Sequence, residues 1–351
     1  MSTKASAGPS LDELFGIDTR GLAAFRMAIG LLLSAEAIVR LRTVSLPTEI
    51  SLAAWLELDW FLLLLCGAAI AAGRGVKWAS LAAWPFLVRH VTHDLQVAGA
   101  VPIDRYLLMI GVFWNLLVPS ELVGRVGGRS SEEAEPPRRV LSFATAALLI
   151  QVFIVYFSAG ATKAHIEWVI RADALENLMH TRFATPLGRS LLAAPLLLKI
   201  LSIGTIVLEV GGAIACFTPH RRLAAVRICL FAVATSFHLG LLLTMQLKLI
   251  PLVCQAFWLL LLPTAAWDWL WPRRDLSPTT AGESSAILSA VAKLMLAGMT
   301  ASFLLSIAVS NCGPEDVLLR LHRATPPIGI FQDWRMFRSP ATLRHMETSP
   351  T

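Results

Sequence analysis

The apolar residues of this chain fall in runs of about 20, and that run length constrains the fold more than any other feature. Residues 52–72 read LAAWLELDWFLLLLCGAAIAA, and residues 140–163, 194–217 and 223–245 are similarly long and apolar. A helix rising roughly 1.5 Å per residue crosses the roughly 30 Å hydrocarbon layer of a bilayer in about 20 residues. Of the 351 residues, 56% are hydrophobic and 15% charged, whereas soluble domains carry about 25% charge. A soluble fold could not enclose that much apolar surface. The sequence therefore predicts an all-α polytopic transmembrane helix bundle in contact with a lipid bilayer.

About nine candidate spans follow from hydropathy. They are residues 22–41, 52–72, 76–88, 103–118, 140–163, 194–217, 223–245, 249–266 and 287–309. The third contains Pro85 and the fourth lies between Pro102 and Pro119. These two are the least regular and can form one re-entrant or broken unit, tolerated only inside protein or along a cavity. The expected organisation is a cytoplasmic segment at 1–20, a transmembrane domain at 21–310 and a short extracytoplasmic tail at 311–351. Within the domain lie a polar linker at 120–139 and an amphipathic or loop segment at 164–193. The first 20 residues lack a basic region followed by an apolar stretch, so the first span is expected to target the chain to the membrane.

The net charge is +6, and many of the basic residues lie in short loops, with Arg320, Arg323, Arg335, Arg338 and Arg344 in the tail running against the orientation those loops give. Arg74 with Lys77, Arg125 to Arg139, Arg221 with Arg222, and Arg273 with Arg274 occupy alternate loops, which places the N-terminus in the cytoplasm. Trp267, Trp269 and Trp271 end the eighth span as an interfacial belt. Basic residues dispersed in this way do not form the contiguous footprint of a nucleic-acid-binding surface, so no nucleic-acid partner is expected. The five cysteines contain no C-x-x-C pair, which argues against a disulfide framework or a metal site.

Ionisable side chains within a span are costly in lipid and should face the bundle interior or a cavity. Arg26 and Glu36 lie in the first span, Glu57 and Asp59 in the second, and Asp104 begins the fourth. Lys163 ends the fifth, Glu209 is central in the sixth, and His238 lies within the seventh. Each has a plain structural explanation. Glu36, Glu57 and Asp59 lie near span ends and can reach the interface. Glu209, beside Gly211 and Gly212, can pair with Arg26 or Arg227. A lone His238 suits a core histidine, and a lone Lys163 a snorkelling end residue. Taken together, a lysine, a histidine and carboxylates on separate spans converge only in a polar interior. Desolvation disfavours an ammonium, so an amine held there can serve as a base near neutral pH. No serine-hydrolase elbow, phosphate loop, zinc-protease motif or dinucleotide fingerprint is present.

The stretch Tyr156-Phe157-Ser158-Ala159-Gly160-Ala161-Thr162-Lys163, followed by Trp168, resembles the signature of the HTTM superfamily. That superfamily includes the vitamin K-dependent gamma-glutamyl carboxylases and many bacterial membrane proteins. Arg26 with Gly30, Leu208-Glu209-Val210-Gly211-Gly212, and His238 followed by Pro251 resemble further motifs in the same order. Gln332-Asp333-Trp334-Arg335-Met336-Phe337 is similar to the closing motif of many bacterial members. The resemblance implies a carboxylase-like membrane core in the bacterial inner (plasma) membrane. If the chain is an enzyme, it implies lyase- or ligase-type chemistry on a quinone or lipid ligand at the outer face. It places Lys163 at the position of the base that deprotonates reduced vitamin K, so a reduced, vitamin K-like quinone is the implied cofactor. Glu209 and His238 then complete the catalytic set. Arg26, Asp59, Asp104 and Trp168 are expected as pocket or structural polar residues.

Two positions depart from the carboxylase. Thr162 stands where its first lysine would be, and Asp104 where it has a functional histidine. An ionised aspartate cannot donate a hydrogen bond. The short tail also leaves no counterpart of the lumenal domain that binds the substrate propeptide. These differences argue against glutamate carboxylation itself. Two other readings remain at this point: a non-enzymatic membrane subunit of a peptide or toxin maturation or export system, with a membrane-protein partner, and a transporter, for which no inverted repeat is visible.

Overall fold

The computed structural model describes residues 10–43, 52–98, 103–118, 138–163, 166–220 and 223–271, with four isolated helical positions between 290 and 297. Side chains at 52–57 and 95–98 lie outside the description, as do the ninth span, the 120–137 linker and the tail. Glu57 and the closing motif at 332–337 therefore receive no structural account.

Among the described residues the chain is mostly helical, as the apolar runs predict. The long helices are α2 (Thr19–Thr43), α3 (Leu52–Ala72), α4 (Val76–Ala98), α5 (Ile103–Leu117), α6 (Phe143–Lys163), α10 (Pro195–Ala215) and α11 (Ala224–Thr244). Short elements are α1 (Leu11–Phe15), α7 (Ile166–Val169), α8 (Ala174–Met179), α9 (Pro186–Ser190), α12 (Ile250–Trp258) and α13 (Thr264–Leu270). Two strands, β1 (Ile17–Asp18) and β2 (Arg139–Val140), form a short antiparallel clasp. Among the described residues, four helices are long and apolar enough to cross a membrane: Thr19–Arg42, Phe143–Lys163, Pro195–Ala215 and Ala224–Thr244.

The structure sharpens three span expectations. The third span, expected over 76–88, extends as α4 through Pro85 to Ala98. The third and fourth spans are two helices, α4 and α5, packed on each other. The eighth is not one straight span, because the chain turns by 107° between Ile250–Leu261 and Thr264–Leu270. Pro263 at the bend cannot donate a helical hydrogen bond.

The packing is inside-out relative to a soluble protein. Leu196, Ile200, Ile203, Val207 and Ile214 form an exposed apolar stripe along α10, at the three- and four-residue spacing of one helical face. Arg26, Glu36, Asp59, Asp104, Arg105, Lys163, Glu209, Arg227 and His238 are buried. Such a distribution is stable in lipid, where the outside of the bundle is apolar and charges must find partners within.

Close helix approach sets the geometry. A Cβ on Gly30 of α2 would lie 2.4 Å from the Ala71 nitrogen of α3, so only glycine permits that contact. A Cβ on Gly160 of α6 would lie 2.7 Å from Val210 Cγ2 and 3.1 Å from Glu209 Cβ of α10. Small residues allow backbones to meet where lipid gives little hydrophobic driving force between helices. The second contact brings the end of α6 against the middle of α10.

Candidate functional site

A partly open cavity of about 90 Å³ lies beside this contact. Its apolar wall includes Ile103 and Leu107 of α5, Val155 of α6, Phe237 and Leu241 of α11, and Ile250 of α12. Leu175 and Leu178 of α8 and Met245 and Leu247 after α11 close one side. From residue 166 on, the 164–193 segment, too polar to span, thus folds into short helices beside the cavity. It is held to the end of α11 by Thr185 N–H donating to the Thr244 carbonyl at 3.0 Å and Gln246 N–H donating to the Phe183 carbonyl at 2.7 Å.

Tyr156, Lys163, Thr205, Glu209 and His238 bring polar groups to this otherwise apolar wall. Lys163 Nζ donates to both Glu209 carboxylate oxygens at 2.8 Å and to the Ala159 carbonyl at 3.2 Å. Glu209 is therefore paired with Lys163 rather than with Arg26 or Arg227. The pair is buried, and the Lys163 ammonium lies 5.7 Å from the Trp168 ring centroid, a cation–π distance. On another part of the wall, the Tyr156 hydroxyl lies 3.2 Å from His238 Nε2, and His238 Nδ1 lies 3.0 Å from Gln255 Oε1.

The structure thus brings Lys163, Glu209, His238 and Trp168 to one cavity. The remaining candidates lie elsewhere. The Arg26 guanidinium packs beneath the turn at Gly73, where a Cβ would sit 2.8 Å from its Nη2. Asp59 pairs with Arg89 and faces His90 Nε2 at 3.6 Å, while His90 stacks on Trp60 with centroids 4.1 Å apart. Asp104 is buried on α5 next to Ile103, which lines the cavity, but does not itself line it. Glu36 pairs with Arg40 at 2.9 Å and faces Arg105 at 3.6 Å, and Arg105 in turn pairs with Asp94. These groups form a second, partly buried charge cluster among α2, α3, α4 and α5.

Sequence reasoning weighed ionisable groups and so passed over Gln255, Thr235 and Thr205. Gln255 had a legible signal, being an amide in the apolar stretch Val253-Cys254-Gln255-Ala256. Tyr156 stood in the quoted motif without an assigned role. Among the described residues no cluster of three or more metal-ligating side chains is present.

The family model of the HTTM domain matches residues 16–267. The chain belongs to the HTTM family. The match covers both halves of the bundle, the clasp and the cavity, and identifies the chain as a membrane protein of that family. Neither the search of curated proteins nor that of solved structures returned a match.

Proposed function

We propose that this HTTM protein binds an amphiphilic, ring-hydroxyl ligand in the Lys163 cavity and removes its hydroxyl proton. The ligand class is a reduced, vitamin K-like quinone or a related lipid. The buried Lys163–Glu209 pair, exposed to a cavity with otherwise apolar walls, carries this reading. The residues suit such a group: the apolar wall offers contact to a ring, and Lys163, Glu209, Tyr156 and His238 offer partners to its hydroxyls.

When bound, a hydroquinone supplies an acidic hydroxyl. The protein supplies the paired base. With the pair ionised, Glu209 accepts the proton. With the pair neutral, the Lys163 amine does so. Both routes end with Glu209 protonated, Lys163 an ammonium, and a positive charge facing the oxygen that lost its proton. The low-dielectric wall strengthens that attraction, and Trp168 holds the ammonium in place.

Among the described residues the topology we favour has eight crossings, α2 to α6, α10, α11 and the bent α12–α13 pair, alternating in direction, with the N-terminus cytoplasmic and the cavity toward the outer face of a bacterial plasma membrane. The basic loops at Arg74, Arg138 and Arg139 support this orientation. Cysteines introduced at Ser10 and Lys248 should be labelled from opposite sides of sealed vesicles; labelling from one side would overturn the topology.

The test of function uses 1-naphthol, a ring-hydroxyl probe whose absorption reports its protonation. The purified chain should bind it with the spectrum shifted toward the deprotonated form. Lys163→Met and Glu209→Gln should each abolish the shift. A fully protonated bound spectrum, or unchanged shifts in both variants, would leave the pair as a structural pin of the kind a non-enzymatic membrane subunit needs.

A further inference from the structure

We infer that Thr235 and Gln255 are positioning residues that fix the direction of a hydrogen-bond chain ending on Tyr156, so that its oxygen meets the cavity as an acceptor. The inference rests on the reading of the cavity as a ligand site, and its geometry begins at a backbone carbonyl.

Thr235 Oγ1 donates to the Phe231 carbonyl at 2.8 Å. A carbonyl can only accept, so the threonine hydrogen is committed there. The threonine oxygen then accepts from Gln255 Nε2 at 2.9 Å. The reverse amide orientation would face two oxygens with no hydrogen between them. Gln255 Oε1 is thereby turned toward His238 Nδ1 at 3.0 Å, and an amide oxygen requires that nitrogen to carry the hydrogen. A neutral His238 accordingly presents a lone pair at Nε2 to the Tyr156 hydroxyl, 3.2 Å away. The Cys254 carbonyl, at 3.4 Å, and the Cys254 thiol are further partners in reach, and the Trp258 indole can donate to one of the two tyrosine lone pairs, leaving the other for the cavity. With any of these acceptors the tyrosine hydrogen points into the protein.

The other polar groups of the wall agree. Thr205 donates its hydrogen to the Leu201 carbonyl at 2.8 Å, and Lys163 directs its hydrogens to Glu209 and Ala159. The hydrogens of Tyr156, Lys163, Thr205 and His238 are all engaged within the protein. A ligand head group that donates a hydrogen bond is complementary to this wall, whereas one that only accepts leaves buried oxygens facing each other. Thr235 and His238 lie three residues apart on one face of α11, with Gln255 on α12. Two helices thus set the tautomer of one ring, as second partners do for metal-bound histidines.

The experiment is nitrogen NMR of the full chain in nanodiscs, labelled with 15N-histidine. His238 is assigned by difference from His238→Asn. The wild type should show His238 protonated at Nδ1 and unprotonated at Nε2. Thr235→Val, which keeps the shape but removes the hydroxyl, and Gln255→Met should shift it to a mixture of tautomers. Thr235→Ser should restore the wild-type signal. In parallel, the wild type should bind reduced 1,4-dihydroxynaphthalene about tenfold more tightly than 4-methoxy-1-naphthol, because one hydroxyl serves the Lys163–Glu209 pair and the second donates to Tyr156, and an unmade buried hydrogen bond costs about that factor. Both disrupting variants should bring that ratio toward one. A wild-type hydrogen on Nε2, or an unchanged His238 signal in both Thr235→Val and Gln255→Met, overturns the chain's direction. Failure of the wild type to bind either probe refutes the ligand reading, while the nitrogen signals still decide the chain.

Discussion

Lys163 Nζ sits 2.8 Å from each carboxylate oxygen of Glu209, joining the last turn of α6 to the middle of α10. Removing one partner leaves a buried charge without compensation, at a cost of about 3–5 kcal/mol, whereas replacing both by apolar groups of similar volume is close to neutral. Lys163→Met and Glu209→Leu should each lower the unfolding temperature in detergent strongly, and the double variant should recover most of the loss. A double variant as unstable as the sum of the singles would show that the residues do not act as a pair.

Gly160 makes that pair possible. A methyl group there meets Val210 Cγ2 at 2.7 Å and the Val210 nitrogen at 3.2 Å. Forcing it in should cost about 1–3 kcal/mol and push α6 from α10. Gly160→Val should therefore lose both stability and probe binding, while Gly160→Ala should lose less of each. Thermal unfolding and a binding isotherm on the same preparations check this.

Outside the spans, His220 gives the fold an acid sensitivity. Its imidazole is buried against Arg227, with Nε2 at 3.0 Å from Arg227 Nη1. Burial first, then the charges of Arg227 and Arg139, lowers its pKa from 6.5 to about 2. A guanidinium can only donate, so His220 accepts at Nε2 and stays neutral. The unfolded chain binds a proton below 6.5 and the folded one does not. Stability is therefore full above that pH and falls as acid is added from 6.5 toward 2, by up to about 1.4 kcal/mol per pH unit. His220→Gln, which keeps an acceptor for Arg227, should flatten the dependence between pH 6.5 and 4.

Arg227 itself gathers the ends of three elements. It donates to the Cys216 carbonyl at 3.0 Å, the Thr218 carbonyl at 2.6 Å and the Leu261 carbonyl at 3.2 Å. Lysine keeps the charge but not the planar fork. Arg227→Lys should cost about 2–3 kcal/mol, the worth of one or two charge-assisted hydrogen bonds. Hydrogen exchange should rise first in the turn at 216–220 and at the Leu262 bend.

The sequence made the helices legible because lipid requires long apolar segments, and α6, α10 and α11 lie close to the predicted runs. Lys163, Glu209 and His238 stood out because charge in a span is costly. Their partners were harder to see. The pairing of Glu209 with Lys163, rather than Arg26 or Arg227, depends on the register between α6 and α10, and Gly160 sets that register only in three dimensions. Gln255 and Thr235 are uncharged, so a search for ionisable groups did not weigh them. Asp59 and Asp104 carry the same lipid penalty as Glu209, yet lie away from the cavity wall, because the cost of burying a charge does not depend on which interior receives it. The bend after Leu261 was hidden because Pro263 lies in a segment whose hydropathy suits an unbroken span.

The β1–β2 clasp also bears on how the protein is made. Asp18 pairs with Arg139, Thr19 N–H donates to the Arg138 carbonyl at 3.0 Å, and Arg139 reaches the Asp12 and Gly16 carbonyls. A strand near residue 18 must wait for its partner to leave the ribosome, a delay on the order of ten seconds at ordinary rates of synthesis. During that interval α2, α3, α4 and α5 are already complete. The clasp can therefore form only once four helices have been made, and it ties the segment before α2 to the entry of α6.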